Sequence, residues 1–373
     1  MNKPMLKRAS LLLIATAIIV SAIYFLGAGG RTGLSEEAEI RISEETPTST
    51  QKEKIYPRAR EIVNPAGFIN TEGESITIAE NIGKKVILID FWTYSCINCQ
   101  RTQPYLNAWY ERYAKDGLLI VGIHTPEFTF EKDYENVLEA VIRSGIKYPV
   151  VLDNDYGTWS AYQNRYWPRK YLIDIDGFIV YDHIGEDAYE ETEKLIQKLL
   201  QERAERVSEK IAIESSLSSE EIERGKNFAL SPETYFGSLR NERTAQNIKG
   251  KAGTYQLEFP ETFSRNTLYL QGQWEISPEA AKALSGDTKI GYIYSAKEVF
   301  IVADAQGPVE VEIWQDGKPL ADSSKGADVD LEGKMIIQES RLYKIINNEK
   351  TGEHFLELRI KSGGARFYAF TFG

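Results

Sequence analysis

Two continuous apolar runs, Val86-Ile87-Leu88-Ile89 and Leu118-Leu119-Ile120-Val121, constrain this chain more than anything else in it. A strand that is apolar on both faces belongs inside a sheet covered on both sides. Between the runs, Leu106, Trp109, Tyr110 and Tyr113 recur at helical spacing. Strand, helix and strand of that length make a βαβ unit with a parallel pair. The pattern continues with a helix over Tyr134–Ile142 and a short strand over Tyr148–Leu152. Asp176-Gly177, flanked by Tyr171–Ile173 and Phe178–Val180, signals a hairpin. A helix over Tyr189–Leu200 closes the unit with an apolar stripe of Leu195, Ile196, Leu199 and Leu200. The expectation is an α/β domain over residues 63–203.

The flanking sequence differs in texture. Lys3, Lys7 and Arg8 precede an uncharged run, Ala9–Gly30, long enough to cross a bilayer as a helix. The positive-inside bias puts the basic end in the cytoplasm and all that follows outside. An uncleaved signal anchor and a cleaved signal peptide are both open; the run is long for a signal peptide, and Ser21-Ala22-Ile23 is a poor cleavage site. The expected order is a cytoplasmic tail (1–8), one N-terminal transmembrane helix (9–30), a polar linker (31–62), the α/β domain, a charged linker (204–229) and a last part over 230–373. In that last part short runs from Leu268–Trp274 to Phe367–Phe372 alternate with turn signals such as Asp316-Gly317 and Gly363-Gly364, the pattern of an all-β sandwich, jelly-roll-like. A net charge of -11 argues against a nucleic-acid partner. Two cysteines exclude a disulfide-stapled mini-protein, and three histidines scattered at 124, 183 and 354 argue against a Cys/His zinc cluster.

Both cysteines stand in Cys96-Ile97-Asn98-Cys99, between the first buried strand and the first helix. A thiol at a helix N-terminus meets the positive end of the helix dipole and unpaired N–H groups, and both favour the attacking thiolate. Residues i and i+3 share a helix face, so Cys99 can reach Cys96 and close a disulfide. Cys96 is expected to form a mixed disulfide with the substrate and Cys99 to resolve it. A purely structural disulfide in so short a loop would constrain the unfolded chain little. Haem attachment needs a histidine where Gln100 stands. This chemistry calls for no metal, and for no cofactor beyond the redox-active disulfide Cys96–Cys99 itself. Asp90 ends an apolar run, where a carboxylate is costly unless its pKa rises or it finds partners. A raised pKa suits a proton shuttle for the resolving thiol, and a solvent-facing Asp90 at the strand end is the competing reading.

The run from Val86 to Cys96 resembles the active-site strand and turn of the thioredoxin superfamily. Asp90 takes that family's buried-Asp position and Trp92 its tryptophan beside the active site. Pro104 matches its helix-kinking proline, and Pro168 the cis-proline that faces the redox pair. The resemblance implies that backbone beside Pro168 pairs with an extended substrate segment, in a groove formed with Trp92, Ile97, Asn98 and Trp167. The added helix and strand between Leu118 and Pro168 resemble the membrane-tethered TlpA/ResA branch. His124-Thr125-Pro126-Glu127, Leu152-Asp153-Asn154, Arg165-Tyr166-Trp167-Pro168 and Ser231-Pro232-Glu233-Thr234-Tyr235 resemble the extracytoplasmic carboxy-terminal part of DipZ proteins. There a thioredoxin-like domain precedes a β-sandwich similar to carbohydrate-binding modules. The resemblance implies a membrane-anchored, extracytoplasmic thiol–disulfide oxidoreductase, periplasmic or at the cell surface, that acts on protein thiols and disulfides. One apolar run stands where DipZ proteins carry a multi-helix membrane domain, so re-reduction implies a membrane electron donor of unknown identity. Glu127 takes the place of an acidic residue that reaches the redox site in the TlpA/ResA branch.

Other readings stay open beside this one. Thr93-x-x-Cys96 resembles the peroxiredoxin pattern without its proline, since position 89 is isoleucine, which gives a thiol peroxidase using Cys96 as the alternative. Tyr269, Trp274, Tyr292, Tyr294 and Trp314 either fill the sandwich core or stack on a glycan partner. Asp153-Asn154-Asp155-Tyr156-Gly157 hints at a calcium loop, but its glycine comes early and no closing glutamate follows, so it reads as a turn before the helix of Trp159 and Tyr162.

Overall fold

The computed structural model describes residues 49–213, 216–218 and 230–373. The expected membrane helix over 9–30 lies outside them, and among the described residues no helix is long and apolar enough to cross a membrane.

The α/β part runs β1 (Gly67–Ile69), β2 (Val86–Trp92), α1 (Ile97–Tyr113), β3 (Leu118–His124), α2 (Tyr134–Arg143), β4 (Val150–Leu152), α3 (Gly157–Ala161), β5 (Arg169–Ile173), β6 (Ile179–Ile184) and α4 (Tyr189–Val207). Its sheet has the order β1-β4-β3-β2-β5-β6, with β2 parallel to β3 and antiparallel to β5. Every residue of β2 is buried, because its side chains alternate between two cores. Val86, Leu88 and Trp92 meet Leu106, Trp109 and Tyr113 of α1 together with Ile196, Leu199 and Leu200 of α4. Ile87, Ile89 and Phe91 meet Val121, Ile123 and Ile173 on the other face. Burying each such side chain contributes about 1.5–3 kcal/mol, which makes this strand the anchor of the domain. Gly177 turns the β5–β6 hairpin at φ +85°, a left-handed conformation open to glycine without steric cost.

Described residues from both expected linkers pack on the α/β part. Lys52, in a helical turn over Ser49–Lys52, is buried on an ion pair with Asp174 at 2.6 Å, and the Ala59 N–H donates to the Gly177 carbonyl. A paired lysine accounts for docking that a polar composition conceals. At the other end Ile211 and Ile213 pack on the α/β core, and the Ser218 hydroxyl donates to Glu193 at 2.7 Å.

The carboxy-terminal part is strand-rich: β7 (Thr234–Tyr235), β8 (Gly253–Leu257), β9 (Leu268–Ile276), β10 (Ala281–Ala283), β11 (Thr288–Asp304), β12 (Val309–Gln315), β13 (Lys318–Pro319), β14 (Lys334–Ile337), β15 (Arg341–Ile360) and β16 (Arg366–Phe372). Several expected short strands merge here. Ile290–Tyr294 and Val299–Ala303 are one strand, β11, which crosses a register shift between Ala296 and Glu298. β15 likewise carries the polar stretch 347–354 without breaking. These two long strands pair on both sides of that shift, and β7–β16 form one hydrogen-bonded sheet around a common core. Tyr269, Trp274, Tyr292 and Tyr294 are all buried, and Arg359 covers Trp314 at 3.5 Å from its ring centroid.

Candidate redox site

Central strand β2 ends at Trp92, and the turn Thr93-Tyr94-Ser95 delivers Cys96 to the N-cap of α1. The Cys96 sulfur accepts the Cys99 N–H at 3.3 Å, satisfying one of the donors a helix start leaves free. Both thiols are unbonded here; Cys96 is partly exposed, whereas Cys99, one turn further in, is 0% exposed. The Trp167–Pro168 peptide is cis, and the Trp167 carbonyl lies 3.9 Å from the Cys96 sulfur. Burial pushes the Cys99 thiol well up, and Cys96 and the Asp90 charge push it further. A thiol raised this way stays protonated at neutral pH, so its attack on a disulfide needs a base.

The carboxyl whose charge acts on Cys99 is Asp90. It is 0% exposed, and neither carboxylate oxygen has a hydrogen-bond partner. Burial lifts its pKa to about 7 against the opposing pull of Lys170. The solvent-facing reading of Asp90 is therefore wrong. Lys170 was not among the expected residues. It stands directly across from Asp90 in the β2–β5 register, is itself fully buried, and donates to the Gly185 carbonyl at 3.1 Å. Its sequence signal was a lysine in the strand Arg169–Ile173, and only the register places it across from Asp90.

The expected groove residues divide. Asn98 is exposed, and Trp167 is half-buried with its indole N–H on the Thr125 carbonyl at 3.1 Å. Pro168 is buried beside them. Trp92 does not reach the surface: it is 1% exposed, packed edge-on against His124 at 5.1 Å between ring centroids. Ile97 is also withdrawn, because the strand-rich part covers it with Phe300 and Leu342. Glu127 does not reach the thiols either; its carboxylate accepts the Tyr235 hydroxyl at 2.9 Å and Arg240 at 2.6 Å. A different acid, Glu131, stands fully buried against Ser95. A cleft of about 720 Å³ opens between the start of α1 and the strand-rich part, lined by Gln100, Arg101, Phe300 and Lys344 among others. The acidic stretch from Asp153 forms a turn: the Asp153 carboxylate accepts the N–H groups of Thr158 and Trp159, each at 2.9 Å.

A buried sheet strand, a helix-capping cysteine, a second cysteine one turn in and a buried carboxylate define a dithiol redox site on a thioredoxin-like domain. Comparison with known proteins agrees. Residues 51–200 match the Redoxin family, and residues 231–373 match the thioredoxin-like C-terminal domain family. Protein DipZ of Mycobacterium tuberculosis is 34% identical over 307 residues, 82% of this chain and 41% of that protein, so the chain spans about two-fifths of its length. Thiol-disulfide oxidoreductase ResA of Bacillus thuringiensis is 31% identical over 128 residues, 34% of this chain and 70% of ResA. Thiol-disulfide oxidoreductase YkuV of Bacillus subtilis is 28% identical over 149 residues, 40% of this chain and 98% of YkuV. The chain belongs to the thioredoxin-like thiol–disulfide oxidoreductases. The peroxidase alternative is not favoured. Thr93, which would hold the peroxide, is fully buried with its hydroxyl 3.4 Å from the His124 ring.

Proposed function

We propose that the chain exchanges disulfides with protein substrates through Cys96, with Cys99 as resolving thiol and Asp90 as its proton acceptor. The observation that carries this reading is a graded dithiol: a partly exposed sulfur at a helix start, backed by a buried thiol and a buried, unpartnered carboxylate. In the reducing direction the Cys96 thiolate attacks one sulfur of the substrate disulfide. The Cys96–substrate bond forms, the substrate S–S bond breaks, and the leaving thiolate takes a proton. Asp90 then accepts the Cys99 proton, and the Cys99 thiolate attacks the Cys96 sulfur. The mixed disulfide breaks, leaving a Cys96–Cys99 disulfide and a substrate carrying two electrons more. The same steps in reverse oxidise a substrate dithiol. Asn98, Trp167 and Pro168 surround the attacking sulfur and are the residues a substrate segment would touch.

The Ala9–Gly30 run supports an anchor that holds this site outside the cytoplasm, where a membrane dithiol donor would re-reduce it. Glycan binding draws no support from the aromatic residues of the strand-rich part, which pack inward or under Arg359. A Cys99→Ala chain tests the central step. Mixed with a disulfide-bonded probe protein, it should accumulate a reductant-sensitive adduct on Cys96 that Cys96→Ala lacks. No adduct, or an equal one on Cys96→Ala, would defeat the reading.

A further inference from the structure

Glu131 is the buried group outside the dithiol whose contacts bear most directly on Cys96. Its Oε1 accepts the Ser95 hydroxyl at 2.6 Å and the Ser95 N–H at 3.4 Å. Its Oε2 accepts the N–H groups of Phe128, at 2.9 Å, and of Glu127. Three backbone N–H groups and the Ser95 hydroxyl converge on its two oxygens, although burial and the Glu127 charge raise its pKa to about 7; an amide would replace one accepting oxygen with a donor facing those N–H groups. Ser95 immediately precedes Cys96.

The strand-rich part grips the other side of the same turn, residues 126–131. Phe128 and Phe130 pack on Tyr368, with ring centroids 5.1 and 4.8 Å away. The Thr129 N–H donates to Glu279 at 3.0 Å, and Glu127 takes Tyr235 and Arg240 as above. Ile97, immediately after Cys96, lies in the same apolar cluster as Phe128 and Tyr368. Both chain neighbours of Cys96 are therefore held by the strand-rich part, Ile97 directly and Ser95 through Glu131.

We propose that Glu131 is a positioning residue of the redox site: it ties the Cys96 turn to the 126–131 strap, so that the strand-rich part sets the balance between dithiol and disulfide. The proposal rests on the thiol–disulfide reading above. Closing the disulfide requires the Cys96 sulfur to move to bonding distance of Cys99. A turn pinned by these hydrogen bonds resists or favours that movement, and the reduction potential reports the difference in stability between the two forms.

The test is the equilibrium of the full chain with glutathione, in which two glutathione thiols reduce the Cys96–Cys99 disulfide and leave as glutathione disulfide. Glu131→Gln keeps the shape and turns one of the two accepting oxygens into a donor; Ser95→Ala removes the opposite side of the same contact and serves if the first variant fails to fold. Each is expected to shift the equilibrium constant about tenfold in the same direction, with the double variant shifting little further. Tyr368→Ala should move it in that direction too. If Glu131→Gln and Ser95→Ala both leave the constant within about twofold of wild type while thermal stability falls, Glu131 only supports the fold and the proposal is overturned. An unmoved constant in Tyr368→Ala alone overturns the link to the strand-rich part. A wild-type chain that does not equilibrate with glutathione would fail at the earlier step, the thiol–disulfide reading itself.

Discussion

At the scale of single residues, Asp90 carries the sharpest consequence. Its folded pKa of about 7 stands above the ordinary carboxylate value, so the native state holds a proton that the unfolded chain releases between those two values. Stability is then lost as pH rises from about 4 to about 7, at up to about 1.4 kcal/mol per pH unit, and levels off above. Asp90→Asn removes that dependence. Its stability relative to wild type should rise by a few kcal/mol, on the order of 3, between pH 4.5 and pH 8. Urea unfolding at the two pH values checks this, and parallel curves would refute it. The constant penalty of a buried amide without partners cancels from the comparison. If Asp90 takes the Cys99 proton as proposed, the same variant slows release of the Cys96 mixed disulfide and leaves Cys96 alkylation unchanged.

At the scale of elements, the packing beside Asp90 leaves no slack. Gly122 of β3 lies across from Asp90 in the parallel register, and a Cβ there would come within 2.9 Å of the Trp92 indole nitrogen and 3.1 Å of the Tyr148 ring. Both rings are fully buried, so Gly122→Ala should cost about 1–3 kcal/mol of stability, read by chemical denaturation. On α2, the Asp133 carboxylate accepts the N–H groups of Glu135 and Asn136 at 2.9 and 3.3 Å, and Asp133→Ala should cost about 1 kcal/mol by the same measurement. The elements around the thiols were readable because their signals are local. A short run apolar on both faces suits a central strand, and a Cys-x-x-Cys just past its end suits the start of the next helix. The merging of β11 and β15 was not readable, because Lys297-Glu298 and the polar stretch 347–354 look like turns, and only the pairs Ala296–Gly352 and Glu298–Asn347 on either side of the register shift show the strands continuing. Lys170 and Glu131 were missed for a related reason: a buried charge is legible only through partners distant in sequence. Trp92 and Ile97 were misread because the covering groups, His124 and Phe300, come from other elements.

At the scale of the whole molecule, the strand-rich part packs against the turn that carries Cys96. Two segments that resemble one family, His124–Glu127 and Ser231–Tyr235, meet where Tyr235 donates to Glu127. Arg240 joins them, its guanidinium 3.8 Å from the Tyr235 ring centroid and bonded to Glu127. Arg240→Ala should speed hydrogen exchange in residues 126–131 and at Thr234–Phe236, with β2 and β3 unaffected. Uniform acceleration across both parts would mean that the contact supports general stability instead. The account as a whole depends on a buried thiol and an accessible one acting as a single couple. The direct measurement is a glutathione titration of the full chain, quenched with a mass-tagging alkylator and resolved for each cysteine. Cys96 and Cys99 should pass together through one two-electron transition, and on the reduced side Cys96 should take the tag well before Cys99. Independent transitions, or equal tagging of the two thiols in the native chain, would contradict the account.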